Sequence, residues 1–136
     1  MRIFDTHCHI ADRAFDEDRA EVIRRLKDAG VCRANVVADP CEETPNQEKV
    51  DGIVRGGDGL CASIGVHPHN ASRYDDGIEA LVTEYLNRPG VVLLGEIGLD
   101  YHYDLSPRDV QREVFDRQLE LAQQRFLLHQ YQQQPC

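Results

Sequence analysis

Short apolar runs alternate with amphipathic stretches along the chain, and this alternation is what most restricts the folds open to it. Ile3–His7 has the character of a strand. After it Phe15, Val22, Ile23, Leu26 and Ala29 recur at helical spacing, with Asp16 near the start and Gly30 placed as a stop. Val31–Ala38 reads as a second strand and Glu42–Arg55 as a weaker helix, with Pro45 early and Gly52 late. Leu60–His67 is a third strand; Asp75 or Asp76 then caps a helix whose apolar stripe is Ile78, Leu81, Val82, Tyr85 and Leu86. Pro89-Gly90 precedes a fourth strand, Val91–Ile97. Ser106 then caps a helix through Val110, Val114, Phe115, Leu119 and Ala122, with Pro107 at its first position. Strands separated by helices pair in parallel, because parallel neighbours need a crossover. The expected class is α/β, four β–α units of a (β/α) barrel type.

Ligand-like residues cluster where those strands end, which is where a (β/α) barrel carries its site. The first strand runs into Asp5-Thr6-His7-Cys8-His9. Strand alternation places Asp5, His7 and His9 on one face and Thr6 and Cys8 on the other. Two neutral imidazoles and a carboxylate suit zinc, manganese or iron, and magnesium accepts the carboxylate more readily than the imidazoles. The plainer alternative is a pair of histidines capping a strand at the surface. Cys8 is expected as buried filler in the layer behind.

The third strand ends in Ser63-Ile64-Gly65-Val66-His67-Pro68-His69. Small residues before His67 leave room on its face, and metal ligand, substrate contact and proton shuttle are open to it beside a purely structural role. His69, past the proline, is expected in solvent. The fourth strand leads to Gly95-Glu96-Ile97-Gly98-Leu99-Asp100-Tyr101, with Glu96 on the same face as Val92 and Leu94. A carboxylate following apolar inward positions costs several kcal/mol unless it is paired or holds a cation. Glu96 therefore reads as a metal ligand, with a structural salt bridge as the alternative. Asp100 either supports the site by a hydrogen bond or starts the loop.

Charge sharpens the functional choices. Asp and Glu outnumber Lys and Arg 24 to 15, a net charge of −9, so a nucleic acid held by a basic patch is not expected. Divalent cations reverse that sign locally and can hold phosphates themselves. No run approaches the ~20 apolar residues of a membrane span, and Met1-Arg2-Ile3-Phe4 lacks the apolar core of a signal peptide, so the expected location is cytoplasmic. Five cysteines without a C-x-x-C pair read as reduced thiols.

Taken in order, Phe4-Asp5-Thr6-His7-Cys8-His9, Ile64-Gly65-Val66-His67-Pro68-His69, Gly95-Glu96-Ile97-Gly98-Leu99-Asp100-Tyr101 and the helix bearing Gln111, Phe115, Gln118, Leu119 and Leu121-Ala122 resemble the TatD family of metal-dependent hydrolases. That resemblance implies a (β/α) barrel of the amidohydrolase type and a deoxyribonuclease using two divalent ions, with magnesium, manganese and zinc not distinguished. His7 and His9 match ligands of one ion, Glu96 matches a carboxylate bridging two, and His67 lines the pocket. DNA or another phosphodiester is the implied substrate, hydrolysed with help from the ions in polarising phosphate and activating water. Deaminase-like and phosphotriesterase-like enzymes share the His-x-His opening but commonly use a bridging lysine instead of the glutamate.

Beyond Ala122 the pattern departs from the family. His129 follows Phe126-Leu127-Leu128 as a candidate further ligand, but it comes early and lacks the accompanying proline. A (β/α) barrel takes roughly 250 residues, so residues 1–125 correspond to its N-terminal half and 126–136 to an atypical glutamine-rich tail expected to be disordered. The expectation is a truncated or frameshifted member, inactive or weakly active alone, whose exposed inner face favours a homodimer. A non-catalytic half-barrel that binds metal or self-associates is the competing reading.

Overall fold

The computed structural model describes residues 2–57 and 59–132, with side chains through residue 125. Strands β1 (Ile3–Cys8), β2 (Val31–Ala38), β3 (Leu60–Ile64) and β4 (Val91–Leu94) form one sheet in sequential order, every neighbouring pair parallel. Helices α1 (Arg19–Asp28), α2 (Gln47–Arg55) and α3 (Asp76–Leu86) make the crossovers, and α4 (Arg108–Gln132) follows β4. Turns of 3-10 helix occupy Arg13–Phe15 and Pro68–Arg73. The α/β alternation expected from the sequence is the architecture observed.

All the helices carry an apolar side against the same layer. Val36, Ala38, Ala62 and Ile64 from the sheet and Val66 beyond it meet Val50 and Val54 of α2 and Val82, Tyr85 and Leu86 of α3. Val22, Ile23 and Leu26 of α1 and Leu121 of α4 pack on its margin. Burying an aliphatic side chain of this size contributes about 1.5–3 kcal/mol, so this layer supplies most of the driving force. Local signals agree with it. Asp75 Oδ1 accepts the Ile78 N–H at 2.8 Å and caps α3, and Gly30, at φ +90°, turns the chain from α1 into β2.

Two expectations about helix starts give way to tertiary hydrogen bonds. The segment before α2 remains a loop to residue 46 because Asn46 Oδ1 accepts the Asp39 N–H at 3.0 Å and ties that segment to the end of β2. Ser106 does not cap α4 with its hydroxyl. It is 1% exposed, accepts the Ser72 N–H at 3.1 Å and donates to the His69 carbonyl at 2.9 Å, serving the backbone of the neighbouring turn. The backbone of α4 continues to Gln132; the His129 side chain and residues 133–136 lie outside the described residues.

On the opposite face of the sheet Asn35 Nδ2 donates to Ser63 Oγ at 3.0 Å, and Phe4 and Leu93 are about half exposed. Cys8, Cys32, Cys41 and Cys61 are free thiols, and Cys8 packs at the edge of the helix-side core as expected. No helix among the described residues is long and apolar enough to cross a membrane. Ile64, 1% exposed at the centre of the core, tests this packing: Ile64→Ala is expected to lower the free energy of urea unfolding by about 2–5 kcal/mol.

Candidate metal centre

His7, His9 and Glu96 bring one potential ligand atom each within 4.8 Å of one another. His7 Nε2 lies 3.1 Å from His9 Nε2 and 3.3 Å from Glu96 Oε2. Ligand atoms held ~2.1 Å from a single ion stand roughly 3.0–3.4 Å apart, so the two separations from His7 match a shared divalent cation, while His9 and Glu96, within 4.8 Å of each other, would close around it by side-chain rotation. Two ring nitrogens facing each other with a carboxylate oxygen beside them form a donor set short of positive charge. The residues present therefore suit the metal that the motifs point to.

The chain reaches this arrangement by leaving strand alternation twice. In β1, Phe4 pairs with Arg33 and Asp5 with Ala34, and the register then shifts before Cys8 pairs with Val36. Asp5 thus shares the face of buried Ala34, and its Oδ1 accepts the His7 N–H at 3.1 Å. The expectation that Asp5 stands on one face with His7 and His9 is corrected by that bulge. In β4, Ser63 pairs with Leu93 and Ile64 with Leu94, which places Leu93 on the inner face and packs Leu94 against the helix-side core. The face expected to carry Val92, Leu94 and Glu96 is likewise corrected: pairing ends at Leu94, the Gly95–Glu96 peptide that follows is cis, and Glu96 meets His7 from beyond the strand.

Gly65 makes the approach of that segment possible. A Cβ at this position would lie 2.8 Å from Ile97 Cγ2, 3.0 Å from the Gly95 carbonyl carbon and 3.1 Å from the Glu96 carbonyl oxygen. Backbone atoms yield less readily than a flexible side chain, so a side chain here presses on the Gly95–Glu96 segment.

His67 stands on the other side of the same carboxylate, its Nε2 3.7 Å from Glu96 Oε1. Its Nδ1 accepts the His69 N–H at 3.2 Å, so in the neutral ring the proton belongs on Nε2. Burial pushes the His67 pKa below the usual value despite the carboxylates of Glu96, Asp39 and Asp100, which favours the neutral form. The His67 backbone N–H donates to Asp39 Oδ2 at 3.1 Å. Asp39, 5% exposed, also accepts from Asn70 Nδ2 at 2.9 Å and, through Oδ1, from the Cys41 N–H at 2.7 Å. The sequence reading passed over Asp39; its signal is a carboxylate placed directly after a buried strand and before a proline.

His69 is not in solvent. Its Nε2 pairs with Asp100 Oδ2, and its ring meets His67 edge-on at 4.2 Å, so the expected solvated role is corrected. Asp100 is the supporting group. Its hydrogen bonds to His69 and to the His102 and Tyr103 N–H groups hold its carboxyl down from the usual 3.8 to about 2. An open cleft of about 430 Å³ is lined by His9, Asp39, Glu42, Glu43, His67 and Glu96, among others. Burial, followed by the charges of Asp39 and Asp12, raises the Glu42 pKa.

A family model for TatD related DNase matches residues 4–131. The chain belongs to the TatD family. It is similar to an uncharacterised metal-dependent hydrolase, YabD, of Bacillus subtilis, with 38% identity over 90% of this chain and 47% of that protein. It is also similar to the 3'-5' ssDNA/RNA exonuclease TatD of Pantoea vagans, with 32% identity over 88% of this chain and 45% of that protein. Among solved structures, the TatD homologue YJJV of Escherichia coli superposes with a TM-score of 0.77 at 32% identity, covering 89% of this chain and 46% of the other. An amidohydrolase of Saccharomyces cerevisiae shares the fold with a TM-score of 0.68 at 20% identity, over 90% of this chain and 44% of that one. The chain spans about half the length of the TatD relatives it matches.

Two predictions follow from this geometry. Gly65→Ala is expected to weaken Mn²⁺ or Zn²⁺ binding by about 10–100-fold in isothermal titration, through displacement of Glu96. The Asp100 pKa is depressed on folding, so its contribution to stability is present above the unfolded value of 3.8 and is lost as pH falls through about 2. Melting temperatures of the wild-type chain and Asp100→Asn should differ above pH 4 and converge towards pH 2.

Proposed function

We propose that this chain carries the N-terminal side of a divalent-metal centre for phosphodiester hydrolysis, with DNA or another nucleic acid as substrate. The observation that carries this reading is the division of one carboxylate between two sets of imidazoles. Glu96 Oε2 faces His7 at 3.3 Å and Oε1 faces His67 at 3.7 Å. His7, His9 and Glu96 would hold a cation, and their two imidazoles favour manganese or zinc over magnesium. A bound divalent ion supplies Lewis acidity toward a phosphoryl oxygen and a lowered pKa for water.

The remaining work falls to the protein. Asp39 and the His69 N–H fix the orientation of His67, leaving its Nε2–H free to donate to a phosphate or departing oxygen in the cleft. The carboxylates of Asp39, Glu42, Glu43 and Glu96 around that cleft would repel a phosphodiester in the absence of cations, which makes turnover strictly metal-dependent. The similarity to a 3'-5' ssDNA/RNA exonuclease of Pantoea vagans and to the metal-dependent hydrolase YabD supports the same chemical class.

Cleavage of bis(p-nitrophenyl) phosphate and of a single-stranded oligonucleotide with added Mn²⁺ tests the proposal. Activity abolished by chelation and restored by Mn²⁺ is expected, with His67→Gln lowering kcat by about 10²–10⁴ while metal affinity is retained. Chelator-insensitive cleavage, or full activity in His67→Gln, would contradict it. Metal binding without any cleavage would assign the chain a binding role instead.

A further inference from the structure

Helix α4 places Gln111 and Gln118 on one face, two turns apart, each about 1% exposed. Gln118 Oε1 accepts the Val66 N–H at 2.8 Å and its Nε2 donates to the Val66 carbonyl at 3.1 Å. Gln111 Oε1 accepts the Asp100 N–H at 2.8 Å, while its Nε2 donates to the carbonyls of Asp100 at 3.0 Å and Ser106 at 2.8 Å. Each side-chain amide thus engages both the N–H and the C=O of one residue, as a peptide does in the hydrogen-bonded pair of an antiparallel ladder.

The two residues so held are those whose backbones have outrun the sheet beside the candidate site. β3 ends at Ile64, and the last backbone bond from the β4 side runs from the Gly95 N–H to the Ile64 carbonyl at 2.9 Å. Val66, 1% exposed, lies past that point and directly precedes His67. Asp100 lies in the loop after β4, and its carboxylate pairs with His69. Elsewhere α4 meets the protein interior with the apolar Val114 and Leu121 and with Arg125, whose Nη2 donates to the Val91 carbonyl at 3.3 Å. A position selected for core packing alone would be filled in the same way, because a buried amide contributes little net stability even when its hydrogen bonds are made.

We propose that Gln118 and Gln111 are positioning residues: Gln118 sets the height of His67 against Glu96, and Gln111 sets Asp100 and through it His69. Helix α4 acts as a rigid ruler whose two-turn spacing fixes the separation of these two strand-end loops. The proposal rests on His67 serving as an Nε2–H donor in the cleft, and its test needs neither metal nor turnover.

The test is long-range ¹H–¹⁵N imidazole spectroscopy on the metal-free chain at pH 8, with Gln118→Met, Gln118→Glu, Gln111→Met and the core control Val82→Ala. Val82 is fully buried on α3 among apolar neighbours. In the wild-type chain His67 is expected as a single Nε2–H tautomer. Gln118→Met should convert it to a mixture of tautomers, and Gln118→Glu, which keeps the acceptor for the Val66 N–H, should do so less. Gln111→Met should shift the His69 signals and leave the His67 tautomer alone. Val82→Ala should lower the melting temperature by a comparable amount and change neither ring. If Gln118→Met fails to fold, the Gln118→Glu spectrum decides the same point. An unchanged His67 tautomer in a folded Gln118 variant, or an equal change in Val82→Ala, would overturn the assignment. Absent phosphodiesterase activity alongside the expected spectra would count against the proposed function and not against the two glutamines.

Discussion

β1 and β4 are the outer strands of a four-stranded sheet. Laid flat, such a sheet would hold them about 14 Å apart, three spacings of about 4.8 Å, with side chains standing perpendicular to the surface. Yet His7 Nε2 on β1 and Glu96 Oε2 just beyond β4 approach to 3.3 Å. The sheet must curl toward its inner face for this contact to exist, and the curl is the twist and coil of a barrel wall. The candidate centre depends on that curvature: without it the histidines of β1 and the carboxylate after β4 would belong to separate surfaces. The helix layer backs it, since Val50, Val54, Val82 and Tyr85 fill the convex side, while the concave side carries Asn35 and Ser63 beside the half-exposed Phe4 and Leu93.

Around the centre the polar residues form a frame with little slack. Asp39 holds the His67 backbone from β2, Gln118 holds the residue before it from α4, and Asp100 holds the His69 ring from the loop after β4. Three parts of the chain therefore fix one imidazole pair. Hydrogen-bonded buried groups of this kind add only about 1 kcal/mol each to net stability, but leaving one unpaired costs more than that, so they specify geometry more than they stabilise the fold. The carboxylates that remain open to the cleft are left for cations.

Much of this was legible from residue order. The alternation of apolar and amphipathic runs predicted four β–α units, and the parallel sheet has them. The motif residues His7, His9 and Glu96 also came together, although the faces assigned to their strands did not hold. Period-two alternation places Asp5 with His7, but the register shift in β1 puts Asp5 on the helix side; it places Glu96 with Leu94, but Leu94 faces the core. A bulge and an early strand end are tertiary events with no period of their own, so periodicity could not announce them. Side-chain partners at long range were equally silent. His69 read as a loop residue because Asp100 lies 31 positions away in sequence, and Gln118 entered only as part of the helix that resembles the TatD pattern, with no role, because Val66 lies 52 positions away.

We propose that His7, His9 and Glu96 form one cation site built by the curl of the sheet. The most direct measurement is an anomalous difference map from crystals grown with Mn²⁺ or Zn²⁺. A peak about 2.0–2.3 Å from His7 Nε2, His9 Nε2 and Glu96 Oε2 together is expected. Saturating metal with no peak between those atoms, or a map in which the ion is held by surface carboxylates alone, would contradict it.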